Sequence, residues 1–175
     1  MSDAGGARTE VDRRPARLSA LVTLGAGALA ALAAALTASV GALGAAVGMA
    51  ALAVGVVLGS QRLVHLGAAG LFGGLVFAGA TGGGPAAELL LLVGTTASVL
   101  AWDVGQNAIS IGQQLGREAE TTRAELAHVA GSTVVGALTA GVAYGVYVVS
   151  TGGKPLPALA LLLVAVVILT TALRQ

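Results

Sequence analysis

The fold class of this chain is decided by one uncharged run, Leu18 to Gln61, which reads LSALVTLGAGALAALAAALTASVGALGAAVGMAALAVGVVLGSQ. No Asp, Glu, Lys or Arg interrupts it. A helix that crosses the hydrocarbon core of a bilayer needs about 20 consecutive apolar residues, and this run is more than twice that length. It therefore predicts two membrane-spanning helices joined by a tight turn at Thr37 and Ala38.

The composition of the whole chain also indicates that lipid surrounds most of it. Of its 175 residues, 56% are hydrophobic and only 10% are charged, and the mean hydropathy is +0.91. An average soluble domain has about 25% charged residues. We therefore expect the lipid bilayer to be the main partner of the chain, as a multi-pass protein of the cell membrane. The chain has no cysteine, so disulfides and thiolate metal sites are excluded. With a net charge of +1 and 3% aromatic residues, it shows no nucleic-acid-binding pattern.

Six apolar segments fit the chain, so the predicted fold is all-α, a polytopic membrane bundle of six transmembrane helices. Residues 1–17 are expected to form a disordered cytoplasmic tail and residues 18–175 the membrane domain. The predicted spans are Leu18–Leu36, Ser39–Gly59, Leu63–Ala80, Ala86–Trp102, Val129–Ser150 and Leu156–Leu173.

The distribution of basic residues predicts the orientation of these spans. Cytoplasmic loops of membrane proteins carry an excess of Lys and Arg. If the N-terminus lies inside, six spans place every arginine on the cytoplasmic side and only Lys154 outside. The expected topology therefore has both termini in the cytoplasm.

Two small-residue patterns recur in the spans. TGGGP at Thr81–Pro85 and TGGKP at Thr151–Pro155 each precede a Leu-rich segment, either as a parallel repeat of helical hairpins or by chance in a chain with 27 glycines. GxxxG spacing lets helix backbones approach closely. Packing within one bundle is the favoured explanation, and an oligomer interface is the alternative. The GxxxG pairs are Gly44/Gly48, Gly55/Gly59, Gly70/Gly74 and Gly141/Gly145.

No motif in the chain supplies a catalytic set. There is no HExxH, GxSxG or Walker loop, and His65 and His128 are the only histidines. We predict no catalytic, cofactor-binding or metal-binding residue and no enzymatic activity. A site that combines both histidines with Asp103 is the remote alternative.

Polar residues are concentrated in one stretch, Trp102–Ser132, which reads WDVGQNAISIGQQLGREAETTRAELAHVAGS. It predicts that residues 103–128 form an amphipathic cytoplasmic helical connection between spans four and five, either lying on the membrane or projecting as a hairpin. Its mixed charge favours contact with protein over contact with anionic lipid. A solvated helix without a partner is the alternative. The predicted apolar face consists of Ala108, Ile111, Leu115, Ala119, Thr122, Leu126 and Val129.

We expect this connection to dock a membrane or cytoplasmic protein partner, which makes the chain a non-enzymatic accessory or assembly protein. The alternative is a small-solute or ion transporter or channel that acts as an oligomer. Polar residues that converge inward around a cavity would favour transport, and an exposed stripe would favour docking. The candidate partner contacts are Asp103, Asn107, Gln113, Arg117, Glu118, Arg123, Glu125 and His128.

Three motifs in this stretch carry a family resemblance. They are DVG at 103–105, GQQLGRE at 112–118 and ELAH at 125–128. Together they resemble the central segment of an uncharacterised family of small haloarchaeal integral membrane proteins. That family usually has Glu where this chain has Gln113, so a carboxylate function there does not carry over. The resemblance implies a membrane accessory role, encoded near a MoxR-type ATPase, a von Willebrand-type domain protein and a transglutaminase-like membrane protein.

Overall fold

A computed structural model describes residues 14–115 and 120–150, and these residues are all helix, turn or irregular chain. The all-α prediction is therefore confirmed over this part of the chain. The predicted sixth span, Leu156–Leu173, lies outside the described residues, as do residues 1–13 of the predicted tail. The helices are α1 (Arg17–Thr37), α2 (Ser39–Leu58), α3 (Gln61–Thr81), α4 (Pro85–Leu115) and α5 (Thr122–Ser150).

By length and composition, each of these five helices can cross a membrane. The first three predicted spans coincide closely with α1, α2 and α3. Helices α4 and α5 include the predicted spans Ala86–Trp102 and Val129–Ser150 but extend beyond them into the polar stretch. The extra turns of both helices lie at one end of the bundle, where α1, α3 and α5 begin and where α2 and α4 end. We call this the polar end.

The turns between the first three helices are as short as predicted. Ala38 alone separates α1 from α2, in an extended conformation with φ −160° and ψ 142°. Gly59 ends α2 with φ 64° and ψ 30°, a left-handed conformation that costs glycine little because it has no Cβ. The hydroxyl oxygen of Ser60 then accepts a hydrogen bond from the backbone N–H of Leu63 and caps the start of α3.

Helices α2 and α3 pack through glycine so closely that their backbones touch. A Cβ on Gly74 would lie 2.5 Å from the backbone nitrogen of Ala45, and one on Gly41 would lie 2.5 Å from the carbonyl oxygen of Gly74. Such distances exclude any side chain, so the contact is made by backbone atoms. The predicted packing within one bundle is thus confirmed for five glycines from three of the GxxxG pairs. These glycines are Gly44, Gly48, Gly55, Gly70 and Gly74.

The core of the bundle combines these glycines with a few large apolar side chains. α1 packs mainly against α4, and α2 mainly against α3. A Cβ on Gly94 of α4 would meet the Leu75 side chain at 2.6 Å, so glycine also brings α4 close to α3. The largest fully buried apolar side chains are Leu52, Leu71, Leu75, Ile109, Val64 and Val104.

The chain divides into two units, residues 1–136 and residues 137–175. The described part of the second unit is the last half of α5, residues 137–150. Its side chains are mostly exposed, and the rings of Tyr144 and Tyr147 lie 6.4 Å apart. A Cβ on Gly141 or Gly145 would meet nothing within 4 Å, so this GxxxG pair packs against none of the described residues.

Two adjacent glycines of α3 test the backbone contact. We expect Gly74→Ala to lower the stability of the bundle by about 1–3 kcal/mol, because the new methyl group would overlap the α2 backbone. Gly73→Ala is the matched control, since a Cβ there would meet nothing within 4 Å. Thermal unfolding of both variants in detergent measures the difference. A Gly74→Ala protein as stable as Gly73→Ala would contradict the described contact.

Candidate functional site: the polar end of the bundle

Most of the predicted connection before Leu115 belongs to the bundle itself. α4 continues through it without a break, and Val104, Ala108 and Ile109 are at most 1% exposed. The backbone of Arg14 occupies the space that a side chain on Gly112 would need. The expected helical connection over residues 103–128 is therefore continuous with α4 as far as Leu115, and residues 116–119 lie outside the described residues.

The buried face of this part of α4 also differs from the predicted apolar face. Ala108 is shared by both, but Leu115 is 61% exposed and Leu126 of α5 is 53% exposed. The buried face includes Val104 and Ile109, which the prediction did not include. The predicted face continues through Ala119, which lies outside the described residues.

Glu125 is the buried charge of the polar end. Its side chain is on α5, it is 4% exposed, and its Oε2 accepts hydrogen bonds from the backbone N–H of Ser19 at 2.8 Å and from the Ser19 hydroxyl at 2.9 Å. The hydroxyl of Thr121 donates to Oε1 at 2.8 Å. Three donors, all of them uncharged, thus hold one carboxylate between two helices.

This carboxylate accepts a hydrogen bond from the N-terminal backbone of α1, as an N-cap side chain normally does. The first N–H groups of a helix lack internal acceptors, and the residue before α1 is Ala16, whose side chain forms no cap. Ser19 is the third residue of α1, the position whose N–H a cap usually binds. Because Glu125 is negative, it also lies favourably at the positive end of the α1 dipole.

A backbone hydrogen bond from α1 to α4 also holds the start of α1. The backbone N–H of Ala16 donates to the carbonyl oxygen of Ala108 at 3.0 Å, and Ala16 is 4% exposed. A Cβ on Gly105, one turn further into the bundle, would lie 3.0 Å from Cγ2 of Thr23. The start of α1 is therefore fixed from both sides, by α4 and by α5.

Asp103 and His128 form a second polar contact between α4 and α5. Nε2 of His128 lies 3.0 Å from Oδ2 of Asp103, which is ion-pair distance, but it is not aligned for a hydrogen bond. The hydroxyl of Ser132 donates to the same Oδ2 at 2.5 Å. The side chains are part-exposed, 35% for His128 and 40% for Asp103. The attraction between them thus depends on the charge of the imidazole.

The other histidine lies in a separate cluster between α3 and α4. Nδ1 of His65 is 2.8 Å from the carbonyl oxygen of Gln61 and 3.0 Å from Nε2 of Gln106, and its ring lies edge-on to Trp102 at 5.8 Å. His65 and Trp102 line one part of a shallow groove of about 280 Å³, whose lining is mainly apolar. The hydroxyl of Ser98 in this groove donates to the carbonyl oxygen of Thr95. The groove therefore presents no nucleophile paired with a base.

The structure separates the predicted contact residues into two groups. Asp103, Glu125 and His128 engage other helices of the chain, and Asn107 lies one turn from Asp103 with a buried Nδ2. Gln113 and Arg123 are exposed. Arg117 and Glu118 lie outside the described residues. Among residues 14–115 and 120–150, no three His, Cys, Asp or Glu side chains are placed to hold a metal ion.

Sequence reasoning missed the uncharged partners of these carboxylates. Ser19 lies in the apolar run that identified the first span, and Ser132 and Thr121 resemble ordinary helix residues. One signal was available for Ser19. Residues 14–17, directly before the first predicted span, include no Ser, Thr, Asp or Asn that could cap it, which leaves its first N–H groups open to an acceptor from elsewhere in the chain.

The described residues thus form a bundle of apolar α-helices, each long enough to span a membrane. The contacts that involve ionisable side chains lie at the polar end. The family of unknown function DUF7519 matches residues 13–170, and the chain belongs to this family. Neither the curated proteins nor the solved structures yield a match to this chain.

Replacing Glu125 tests its structural role. We expect Glu125→Ala to lower the stability by about 2–3 kcal/mol, because the N–H and hydroxyl of Ser19 would lose a charged acceptor in a buried place. Glu120→Ala is the matched control, since Glu120 is exposed just before the same helix. Thermal unfolding in detergent compares the two variants. An equal loss of stability in both variants would mean that Glu125 does not cap α1.

Proposed function

We propose that the protein crosses the cell membrane six times, with both termini in the cytoplasm. The five described helices are long and apolar enough to span, and Leu156–Leu173 is a further apolar segment of spanning length. The location of every arginine on one side supports this orientation. In this topology the polar end of the bundle faces the cytoplasm.

Because the chain has no native cysteine, single cysteines can test the topology directly. We expect Gly83→Cys and Lys154→Cys to react with a membrane-impermeant maleimide on intact cells. Arg123→Cys should react only after the membrane has been opened. Labelling of Arg123→Cys on intact cells, or protection of Lys154→Cys, would contradict the proposed topology.

At the polar end we propose a docking surface for a protein partner, which makes the protein a non-enzymatic membrane accessory or assembly factor. The connection surface consists of six exposed residues on the two sides of residues 116–119, namely Gln113, Gln114, Leu115, Glu120, Arg123 and Leu126. The mixed charge of this surface supports the proposal, because a helix that binds anionic lipid usually carries Lys and Arg on its polar face. Arg117 and Glu118 lie in the sequence between these residues.

The remaining predicted contacts contribute to this function indirectly. Asp103, Glu125 and His128 join α4 and α5 to each other or to α1, so they fix the helix ends that carry the connection surface. Transport by an oligomer is the weaker hypothesis. No charged residue or histidine occurs between Glu88 and Asp103, so span four offers no charged relay across the bilayer.

The resemblance to haloarchaeal membrane proteins suggests the class of partner. Proteins of that kind are encoded near a MoxR-type ATPase, a von Willebrand-type domain protein and a transglutaminase-like membrane protein. We propose that the connection surface binds a component of such a set. A cytoplasmic ATPase would meet it directly if the polar end faces the cytoplasm.

Crosslinking in native membranes tests the docking proposal. A photo-crosslinking residue at Gln113 should capture a defined partner, and one at the exposed Val76 of α3 should not. Combined substitution of Arg117, Glu118 and Arg123 by Ala should abolish the captured band. Arg62→Ala, which removes an exposed arginine near the start of α3, is the matched control and should leave the band unchanged. An identical band from the triple variant would overturn the proposal.

A further inference from the structure

The groove between α3 and α4 is apolar along most of its length. It follows α3 from His65 to Phe72, which is about 10 Å at 1.5 Å per residue. On α4 it runs from Ser98 to Trp102. The hydroxyl of Ser98 donates to a carbonyl oxygen of its own helix, so it is not free for a ligand. The interior of the groove therefore suits a hydrocarbon chain better than a polar solute.

The size of the groove fits part of a ligand and not a whole one. Its volume of about 280 Å³ is below the range of about 300–1,000 Å³ that is usual for pockets enclosing a drug-sized ligand. Phe72 is 47% exposed and Trp102 is 40% exposed, so the groove opens on the outer surface of the bundle. If the helices cross a membrane, this surface faces lipid. A phospholipid can then place one chain in the groove while its other chain stays in the bilayer.

Polar side chains lie at the end of the groove nearest the start of α3. Nδ1 of His65 contacts the carbonyl oxygen of Gln61 and the amide of Gln106, and Nε2 of the same ring has no partner among the described residues. Arg62 lies three residues before His65, on the same side of α3. It is exposed and forms no ion pair with the described residues. The ring nitrogen and the guanidinium are thus both open to a ligand.

The charge at this end of the groove is positive. Asp103 and Glu88 are the acidic residues of α3 and α4. The carboxylate of Asp103 contacts α5, and Glu88 lies near the start of α4, at the opposite end of the bundle. Arg62 therefore has no acidic neighbour on the two helices that form the groove. An arginine in this situation attracts an anion, and its guanidinium matches the oxygens of a phosphate group.

We propose that the groove binds an anionic phospholipid. One acyl chain lies along α3 beside Trp102, and the phosphate group accepts hydrogen bonds from Arg62 next to the ring of His65. Sites of this kind, with a cation at the end of a gap between spanning helices, suit lipid headgroups. The proposal rests on the proposed crossing of the membrane but not on its orientation. It concerns a surface separate from the connection surface.

The fluorescence of Trp102 tests the site directly, because Trp102 is the one tryptophan of the chain. The protein is placed in mixtures of phosphatidylcholine and anionic phosphatidylglycerol, with bromine on the acyl chains of one lipid or the other. Bromine quenches a tryptophan that it contacts. We expect the quenching to show a preference of about two- to fivefold for the anionic lipid, as for a part-exposed ion pair. Equal quenching by the two lipids would overturn the proposal.

Substitutions of Arg62 locate the headgroup. Arg62→Gln should remove the preference for the anionic lipid, whereas Arg62→Lys should keep most of it because the charge remains. Arg123→Gln is the matched control, since it removes another exposed arginine of the polar end, on α5, and should leave the preference unchanged. A preference that survives Arg62→Gln, or that Arg123→Gln reduces as much, would refute a site at Arg62.

A tryptophan elsewhere separates this proposal from the proposed crossing of the membrane. Val47 of α2 is 72% exposed and does not line the groove. In Val47→Trp/Trp102→Phe, both brominated lipids should quench equally. If neither quenches position 47, the crossing and the lipid site both fail. If both quench position 47 and neither quenches Trp102, a protein surface such as a second copy of the chain covers the groove. The crossing then stands and the lipid site is overturned.

Discussion

Everything at the polar end depends on how the first N–H groups of α1 find acceptors. These groups have no acceptor within the helix, and leaving them unpaired where Ala16 and Ser19 are buried would cost free energy. Ala16 offers no side-chain acceptor, and the chain uses Glu125 instead, a residue far along the sequence on α5. One carboxylate thereby fixes both where α1 starts and where α5 lies beside it.

The rest of the bundle is held together by close approach of backbones, without a large apolar core. Apolar side chains gain little from leaving lipid for protein, so contact area must come from van der Waals packing. The glycines of α2 and α3 provide it, since side chains at Gly41 or Gly74 would collide with the facing helix. This explains why the chain has many glycines in its helices.

The sequence predicted α1, α2 and α3 well because uncharged length and tight turns are local properties. The predicted spans within α4 and α5 are shorter than these helices, since Asp103 was taken to mark the end of a span. In the structure the predicted helical residues 103–115 continue α4 directly, and Asp103 contacts α5. The candidate site was predicted as a set of charged residues. Its uncharged half, above all Ser19, depends on contacts between distant parts of the chain, and its local signal is limited to the missing cap before α1.

The three motifs within residues 103–128 acquire separate physical explanations from these contacts. DVG supplies Asp103 for the contact with His128, and its Gly105 leaves room for α1 beside Thr23. ELAH supplies Glu125 and His128, spaced by three residues so that both lie on one face of α5, one toward α1 and one toward α4. GQQLGRE begins at Gly112, where only glycine fits against the backbone of Arg14. Gln113, Gln114 and Leu115 of this motif are exposed, which is why we propose that this motif and its exposed neighbours contact a partner.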